Sequence, residues 1–205
     1  MTDLQTVRYA ARRAVSRWFE EPASAALHRA GVTPDAASLL GLALAGGASY
    51  WAATGRFLPA GLFVIAGALF DMLDGGIARR TGRVSNRGAL LDSVADRVSE
   101  GVVLLGLLIY YSDTASYSRA GVILAFVAFA GSLMVSYVRA RAEGLGYKGT
   151  AGFLTRPERV VITAGALIAG YPIAALWILA VGTPLSALHR FWAEWRTAGR
   201  SERSE

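Results

Sequence analysis

The chain contains no cysteine, so neither a disulfide nor a thiolate metal site is open to it, and the redox compartment stays undetermined. It has only two histidines, His28 and His189, and neither has a second His or Cys at metal spacing. Charge is scarce: 18% of the 205 residues are charged against 54% hydrophobic, and the mean hydropathy of +0.39 is high for a water-soluble domain. No internal repeat or low-complexity linker divides the chain, and its length suits a single domain, 1–205. The first residues lack the apolar core of a cleavable signal.

What is abundant is apolar sequence in runs suited to crossing a bilayer. Six are expected, at about 36–53, 58–78, 88–111, 118–139, 157–170 and 172–189. Only Gly170-Tyr171-Pro172 separates the last two, so five spans with one long helix is the alternative. The fold class is therefore all-α and polytopic. Ahead of the spans, Leu4, Val7, Ala11, Val15 and Trp18 form an apolar stripe beside Arg8, Arg12, Arg13 and Arg17. That pattern predicts an amphipathic helix in the membrane interface, or one packed on the domain. The expected division is a cytoplasmic interfacial segment 1–30, a helical bundle 31–190 and a polar cytoplasmic tail 191–205. Gly41, Gly46, Gly47, Gly101 and Gly106 are expected to let helix backbones approach closely.

Of the 21 Lys and Arg, only Arg56 and Arg119 fall in the loops that alternate with the basic ones. The positive-inside rule then puts both termini in the cytoplasm, as expected of a cell-membrane protein. The net charge of +6 needs no nucleic acid, because anionic lipid headgroups and phosphorylated substrates account for it.

Against that apolar background stand Asp71, Asp74, Asp92 and Asp96, at or inside the ends of long apolar runs. An ionised Asp there costs on the order of 2.5–3.5 kcal/mol on insertion scales. Asp71 and Asp74 are spaced i, i+3, and Asp92 and Asp96 i, i+4, so on helices each pair falls on one face. Two facing acidic pairs make an oxygen-only cage of the kind that holds Mg²⁺ against a diphosphate. Buried acid–arginine pairs holding a hairpin together, or the carboxylates of a cation transporter, are the competing explanations.

The full pattern is D-x-x-D-G-x-x-A-R-x8-G-x3-D-x3-D, filled by Asp71, Asp74, Gly75, Ala78, Arg79, Gly88, Asp92 and Asp96. It resembles the signature of the CDP-alcohol phosphotransferases, integral membrane enzymes that move a phosphoalcohol from a CDP-linked donor to an acceptor hydroxyl and release CMP. A cation transporter does not explain Gly75, Ala78, Arg79 and Gly88 at fixed spacing. The resemblance implies two Mg²⁺ ions, with Mn²⁺ a substitute: one held by Asp71, Asp74 and Asp92, the other shared by Asp71, Asp92 and Asp96. It also implies that Asp96 is the general base, with a ligand-only role as the alternative. Arg79 can reach a donor phosphate as a planar fork, Gly75 opens the helix backbone to the nucleotide, and Ser85 resembles a nucleotide-contacting loop position. Upstream, Thr33-Pro34-Asp35-Ala36-Ala37-Ser38 resembles the family element Thr-Pro-Asn-x-x-(Thr/Ser). Thr33 can cap the first membrane helix, Pro34 suits its first turn, and N–H groups at Asp35, Ala36 and Ala37 can meet the donor. Asp35 stands where Asn is commoner, which alters the base contact.

Ser136-Tyr-Val-Arg139-Ala-Arg141-Ala-Glu143, followed by Arg156-Pro157-Glu158-Arg159, is similar to an element of phosphatidylinositol phosphate synthases and their archaeal-lipid counterparts. The implied acceptor is myo-inositol phosphate, bound by Ser136, Arg139, Arg156, Arg159 and Arg190, with flanking-charge anchoring of the cluster and snorkelling of Arg190 as the alternatives. The implied donor is CDP-diacylglycerol or CDP-archaeol. Glycerol 3-phosphate is the alternative acceptor, and homodimerisation is common in the family.

Overall fold

The computed structural model describes residues 21–81, 85–147, 149 and 151–201, without the side chains of 21, 79–81, 200 and 201. Across these residues run α1 (Glu21–Arg29), α2 (Pro34–Ala53), α3 (Phe57–Thr81), α4 (Asn86–Ser112), α5 (Arg119–Gly144), α6 (Arg156–Ile168) and α7 (Pro172–Ser201), with no strand among them. The interfacial helix expected around Leu4–Trp18 lies outside the described residues.

Local sequence sets the helix ends. At Gly31, φ is +79°, and the N–H groups of Gly31 and Val32 bond back to the carbonyls of His28 and Leu27, which closes α1. Two residues later Thr33 opens α2: its Oγ1 accepts from the Ala36 N–H at 3.2 Å. Gly170, with φ +78°, ends α6 in the same left-handed way, and Pro172 starts α7. The last two apolar runs are therefore separate helices rather than one.

Four helical segments are long and apolar enough to cross a bilayer: Pro34–Ala53, Phe57–Ala78, Arg119–Gly144 and Pro172–Gly199. The expected six are thus met in part. Helix α4 has the length, at 27 residues, but Arg87, Asp92, Asp96, Arg97 and Glu100 make its first half polar. Helix α6 has 13 residues. At ~1.5 Å per residue it is about 20 Å long, short of a hydrocarbon core of about 30 Å. Large apolar side chains such as Leu62, Phe126, Val161, Trp177 and Val181 are more than half exposed. So much apolar exterior suits lipid rather than water, and the chain is a membrane protein.

The chain divides into two compact units, 1–44 with 66–99 and 45–65 with 100–205. In the first, Ala37, Leu73, Ile77 and Ala95 are buried. Helices α2 and α3 touch at Gly41, where an added Cβ would stand 3.3 Å from the Gly67 carbonyl oxygen. In the second, Leu104, Leu107, Leu124, Leu167, Leu176 and Leu179 make the core together with many alanines. A Cβ at Gly106 would overlap the backbone of Ser49, and one at Gly131 would overlap Thr183. Gly46, by contrast, has nothing within 4 Å of an added Cβ among the described residues, so none of them makes the expected close approach there.

Candidate active site

In the first unit α3 carries Asp71 and Asp74 and α4 carries Asp92, and one carboxylate oxygen of each lies within 4.8 Å of the others. Asp74 is buried and its two neighbours are partly so. Oxygens bound at ~2.0–2.6 Å to one hard cation stand up to about 5 Å apart, so this spread fits such an ion. Three carboxylates this close repel one another where the dielectric is low, and a bound cation relieves the repulsion. The all-oxygen donor set excludes a preference for soft metals.

Asp74 is fixed from two sides. The Ser38 hydroxyl, buried on α2, donates to Oδ2 at 2.5 Å, and the Gly75 N–H donates to Oδ1 at 2.5 Å. Asp96, one turn along α4 from Asp92, falls outside the three-carboxylate group and sits 3.8 Å from the Arg97 guanidinium. Of the N–H groups expected to meet the donor, that of Ala36 bonds to Thr33 Oγ1 and that of Ala37 to the Thr33 carbonyl at 3.0 Å. The cap satisfies both within the chain. Ser85 caps α4, accepting from the Gly88 N–H at 3.1 Å. An added Cβ at Gly88 would stand 3.3 Å from Ser85 Oγ and 4.0 Å from Asp35 Oδ1, so the start of α4 lies close to the start of α2. Arg79 lies on α3, with its side chain outside the described residues.

The second unit gathers the cations. Arg139 on α5 is exposed and pairs with Glu143 at 2.9 Å. Arg159 on α6 is buried, with Nε 2.6 Å from Glu100 Oε1, Nη2 2.7 Å from Oε2 and Nη1 3.1 Å from the Leu154 carbonyl oxygen. Arg190 on α7 is buried too; Nη1 donates to the Val135 carbonyl at 3.0 Å and Nε to the Ala151 carbonyl. Arg190 lies within electrostatic reach of both Arg139 and Arg159. The carboxylates of Glu143 and Glu194 act on Arg190 as well. Ser136 and Arg156 are partly buried, Ser136 on α5 and Arg156 in the first turn of α6. Both Arg159 and Arg190 are buried. Burial forces them to bond within the protein, because an unpaired guanidinium out of water is very costly. Each still keeps part of its five-donor fork.

Three positions escaped the sequence reading as individuals. Ser38 belongs to the Thr33–Ser38 element, but its bond to Asp74 joins residues 36 apart in sequence. Glu100 continues the i, i+4 progression of Asp92 and Asp96, and that spacing was a usable signal. Ser186, fully buried on α7, accepts the Phe153 and Leu154 N–H groups at 3.2 Å each and anchors the loop before α6. Nothing in the sequence around it marks that role.

The chain is similar to known proteins over most of its length. Residues 31–195 match the sequence profile of CDP-alcohol phosphatidyltransferase. The phosphatidylinositol phosphate synthase of Mycobacterium marinum is 35% identical over 191 residues, covering 88% of this chain and 81% of that protein. The archaetidylinositol phosphate synthase of Methanothermobacter thermautotrophicus is 35% identical over 179 residues, 87% of each. The crystal structure of Mycobacterium tuberculosis phosphatidylinositol phosphate synthase with CDP-DAG bound superposes with a TM-score of 0.78 at 30% identity, covering 86% of this chain and 94% of that one. The same enzyme in complex with manganese and citrate gives a TM-score of 0.76 at 33% identity, covering 86% and 89%. With its acidic signature complete and matched over most of its length, the chain belongs to the CDP-alcohol phosphatidyltransferase family.

Proposed function

We propose that this protein transfers the phosphatidyl group of CDP-diacylglycerol to a hydroxyl of myo-inositol phosphate, giving phosphatidylinositol phosphate and CMP. The observation that carries the reading is the Asp71–Asp74–Asp92 oxygen cluster in a chain that also gathers Arg139, Arg159 and Arg190. An acidic cluster suits a metal-bound diphosphate, and a cationic one suits an acceptor that is itself a phosphomonoester. A divalent cation held by Asp71, Asp74 and Asp92, with a second shared by Asp71, Asp92 and Asp96, would neutralise the diphosphate oxygens and stabilise the departing CMP. Mg²⁺ is the physiological ion in this reading, with Mn²⁺ able to replace it.

The residues then divide the work. Ser38 and the Gly75 N–H hold the Asp74 carboxylate in one orientation. Asp96 takes the proton of the acceptor hydroxyl as its oxygen bonds to the phosphatidyl phosphorus and the bridging oxygen leaves with CMP. Thr33, Pro34, Asp35 and Ser85 frame the donor nucleotide at the starts of α2 and α4, and Arg79 pairs with a donor phosphate. Ser136, Arg139, Arg156, Arg159 and Arg190 serve the acceptor.

In the membrane α4 and α6 complete a six-helix domain with both termini and the acidic cluster on the cytoplasmic side of the cell membrane, in keeping with the charge asymmetry. The working form is a homodimer. An archaeol-linked donor is the alternative to diacylglycerol, since a relative with that lipid is as similar as the bacterial enzymes.

The test is an acceptor screen with purified protein, measuring CMP release with inositol phosphate, free inositol, glycerol 3-phosphate and serine. Inositol phosphate should give the highest kcat/KM. A better rate with glycerol 3-phosphate would overturn the acceptor and leave the transferase chemistry standing. No CMP release with any acceptor would overturn both.

A further inference from the structure

We infer that Glu100 is a positioning residue for the acceptor: its carboxylate fixes the Arg159 guanidinium in the one orientation that meets the acceptor phosphate. The inference rests on the proposed acceptor role of Arg159 and extends it to a residue outside the acidic signature.

Arg159 is 3% exposed, and the Glu100 side chain 17%. The pair is bidentate: Nε to Oε1 at 2.6 Å and Nη2 to Oε2 at 2.7 Å, which locks the plane of the guanidinium as one bond could not. A third bond, from Nη1 to the Leu154 carbonyl at 3.1 Å, fixes its far corner. Among the described residues, three of the five N–H donors are therefore held by the protein, and two remain, one on each terminal nitrogen. The side chain has no rotational freedom left to search for a ligand, so the entropy of ordering it is lost on folding and not on binding.

The anchors come from separate elements, Glu100 on α4 and Leu154 in the loop before α6. That loop is itself held by Ser186 and Arg190 from α7, through the Phe153 and Leu154 N–H groups and the Ala151 carbonyl. Charge gives a second consequence. Arg139 and Arg159 both act electrostatically on Arg190, as do the carboxylates of Glu143 and Glu194. The Glu100 carboxylate compensates the buried Arg159 guanidinium when no acceptor is bound.

The structural alternative is a pair that only joins α4 to α6. A double-mutant cycle on the full-length protein in detergent separates the two, using Glu100→Gln, Arg159→Gln and the double variant. KM is measured for the acceptor, with CDP-diacylglycerol saturating, and for CDP-diacylglycerol, with the acceptor saturating. Glutamine keeps the shape of Glu100 but offers one accepting oxygen and turns an N–H₂ toward the guanidinium. Glu100→Gln should raise the acceptor KM about 10-fold or more with the donor KM unchanged, and the double variant should be no worse than Arg159→Gln alone. Additive effects, or an equal rise in both constants, would overturn the inference. If Glu100→Gln leaves a buried charge that prevents folding, Glu100→Met with Arg159→Met restores an uncharged packed pair. That protein should fold, turn over slowly with inositol phosphate and keep the parental donor KM; parental acceptor KM in it would equally overturn the inference. The cycle uses whichever acceptor the parent prefers in the screen, so a wrong acceptor assignment shows in the parent and a wrong role for Glu100 shows only in the variants.

Discussion

Replacing Ser38 by alanine tests how far the metal cage depends on a residue that binds no metal. The Ser38 hydroxyl donates to Asp74 Oδ2 at 2.5 Å, and both side chains are buried. A hydrogen bond to a charged group contributes about 1.5–3 kcal/mol, and its loss here leaves a buried carboxylate oxygen without its donor. Only the Gly75 N–H on Oδ1 would still hold the Asp74 carboxylate, so its plane could rotate away from Asp71 and Asp92. Loss of such a supporting partner typically costs about 10- to 100-fold in metal affinity. Ser38→Ala should thus need about 10- to 100-fold more Mg²⁺ or Mn²⁺ for half-maximal CMP release, with most of the rate recovered at saturating metal. Mn²⁺ binding followed by electron paramagnetic resonance, with no substrate present, should show the same shift. Ser38→Thr keeps the hydroxyl and should shift affinity far less. Parental metal affinity in Ser38→Ala would refute the reasoning, as would a rate loss that saturating metal does not relieve.

Each of Asp71→Asn, Asp74→Asn and Asp92→Asn should abolish CMP release and metal binding while the protein stays folded in detergent, since Asn keeps the volume and lowers the burial cost. Asp96→Asn should abolish turnover but keep Mn²⁺ binding if Asp96 is the base; loss of both would make it a ligand. Excess EDTA should remove all activity and Mg²⁺ or Mn²⁺ restore it, whereas full activity in EDTA would take the carboxylate cluster out of the mechanism. Arg139→Gln should raise the inositol phosphate KM roughly ten- to a hundredfold with little change in that for CDP-diacylglycerol, because its exposed pair with Glu143 is broken at small structural cost. Gly131→Ala should lower the midpoint of thermal unfolding in detergent, since its Cβ would overlap Thr183 and overpacking costs about 1–3 kcal/mol; unchanged stability would mean that α5 and α7 separate easily.

Sequence by itself determined the class and the chemistry. Long apolar runs with one-sided basic loops point to an all-helical membrane protein, because backbone groups in lipid are satisfied either within helices or in closed barrels, and barrel strands are short and alternating. The gathering of Asp71, Asp74 and Asp92 was legible because helical periodicity converts spacing into a shared face, whereas Asp96 stands outside that group. Helix ends were readable where the signal is local, as at Thr33 and Gly170. The number of apolar crossings was not, since α4 trades apolar length for charge and α6 stops at 13 residues. What only tertiary structure decided are the contacts between residues far apart in the chain: Ser38 on Asp74, Glu100 on Arg159, Ser186 and Arg190 on the loop before α6. Periodicity reports which face a side chain shares, but not which partner meets it there. Burial settles that, by requiring that every charged or polar group taken out of water find its partner inside the fold.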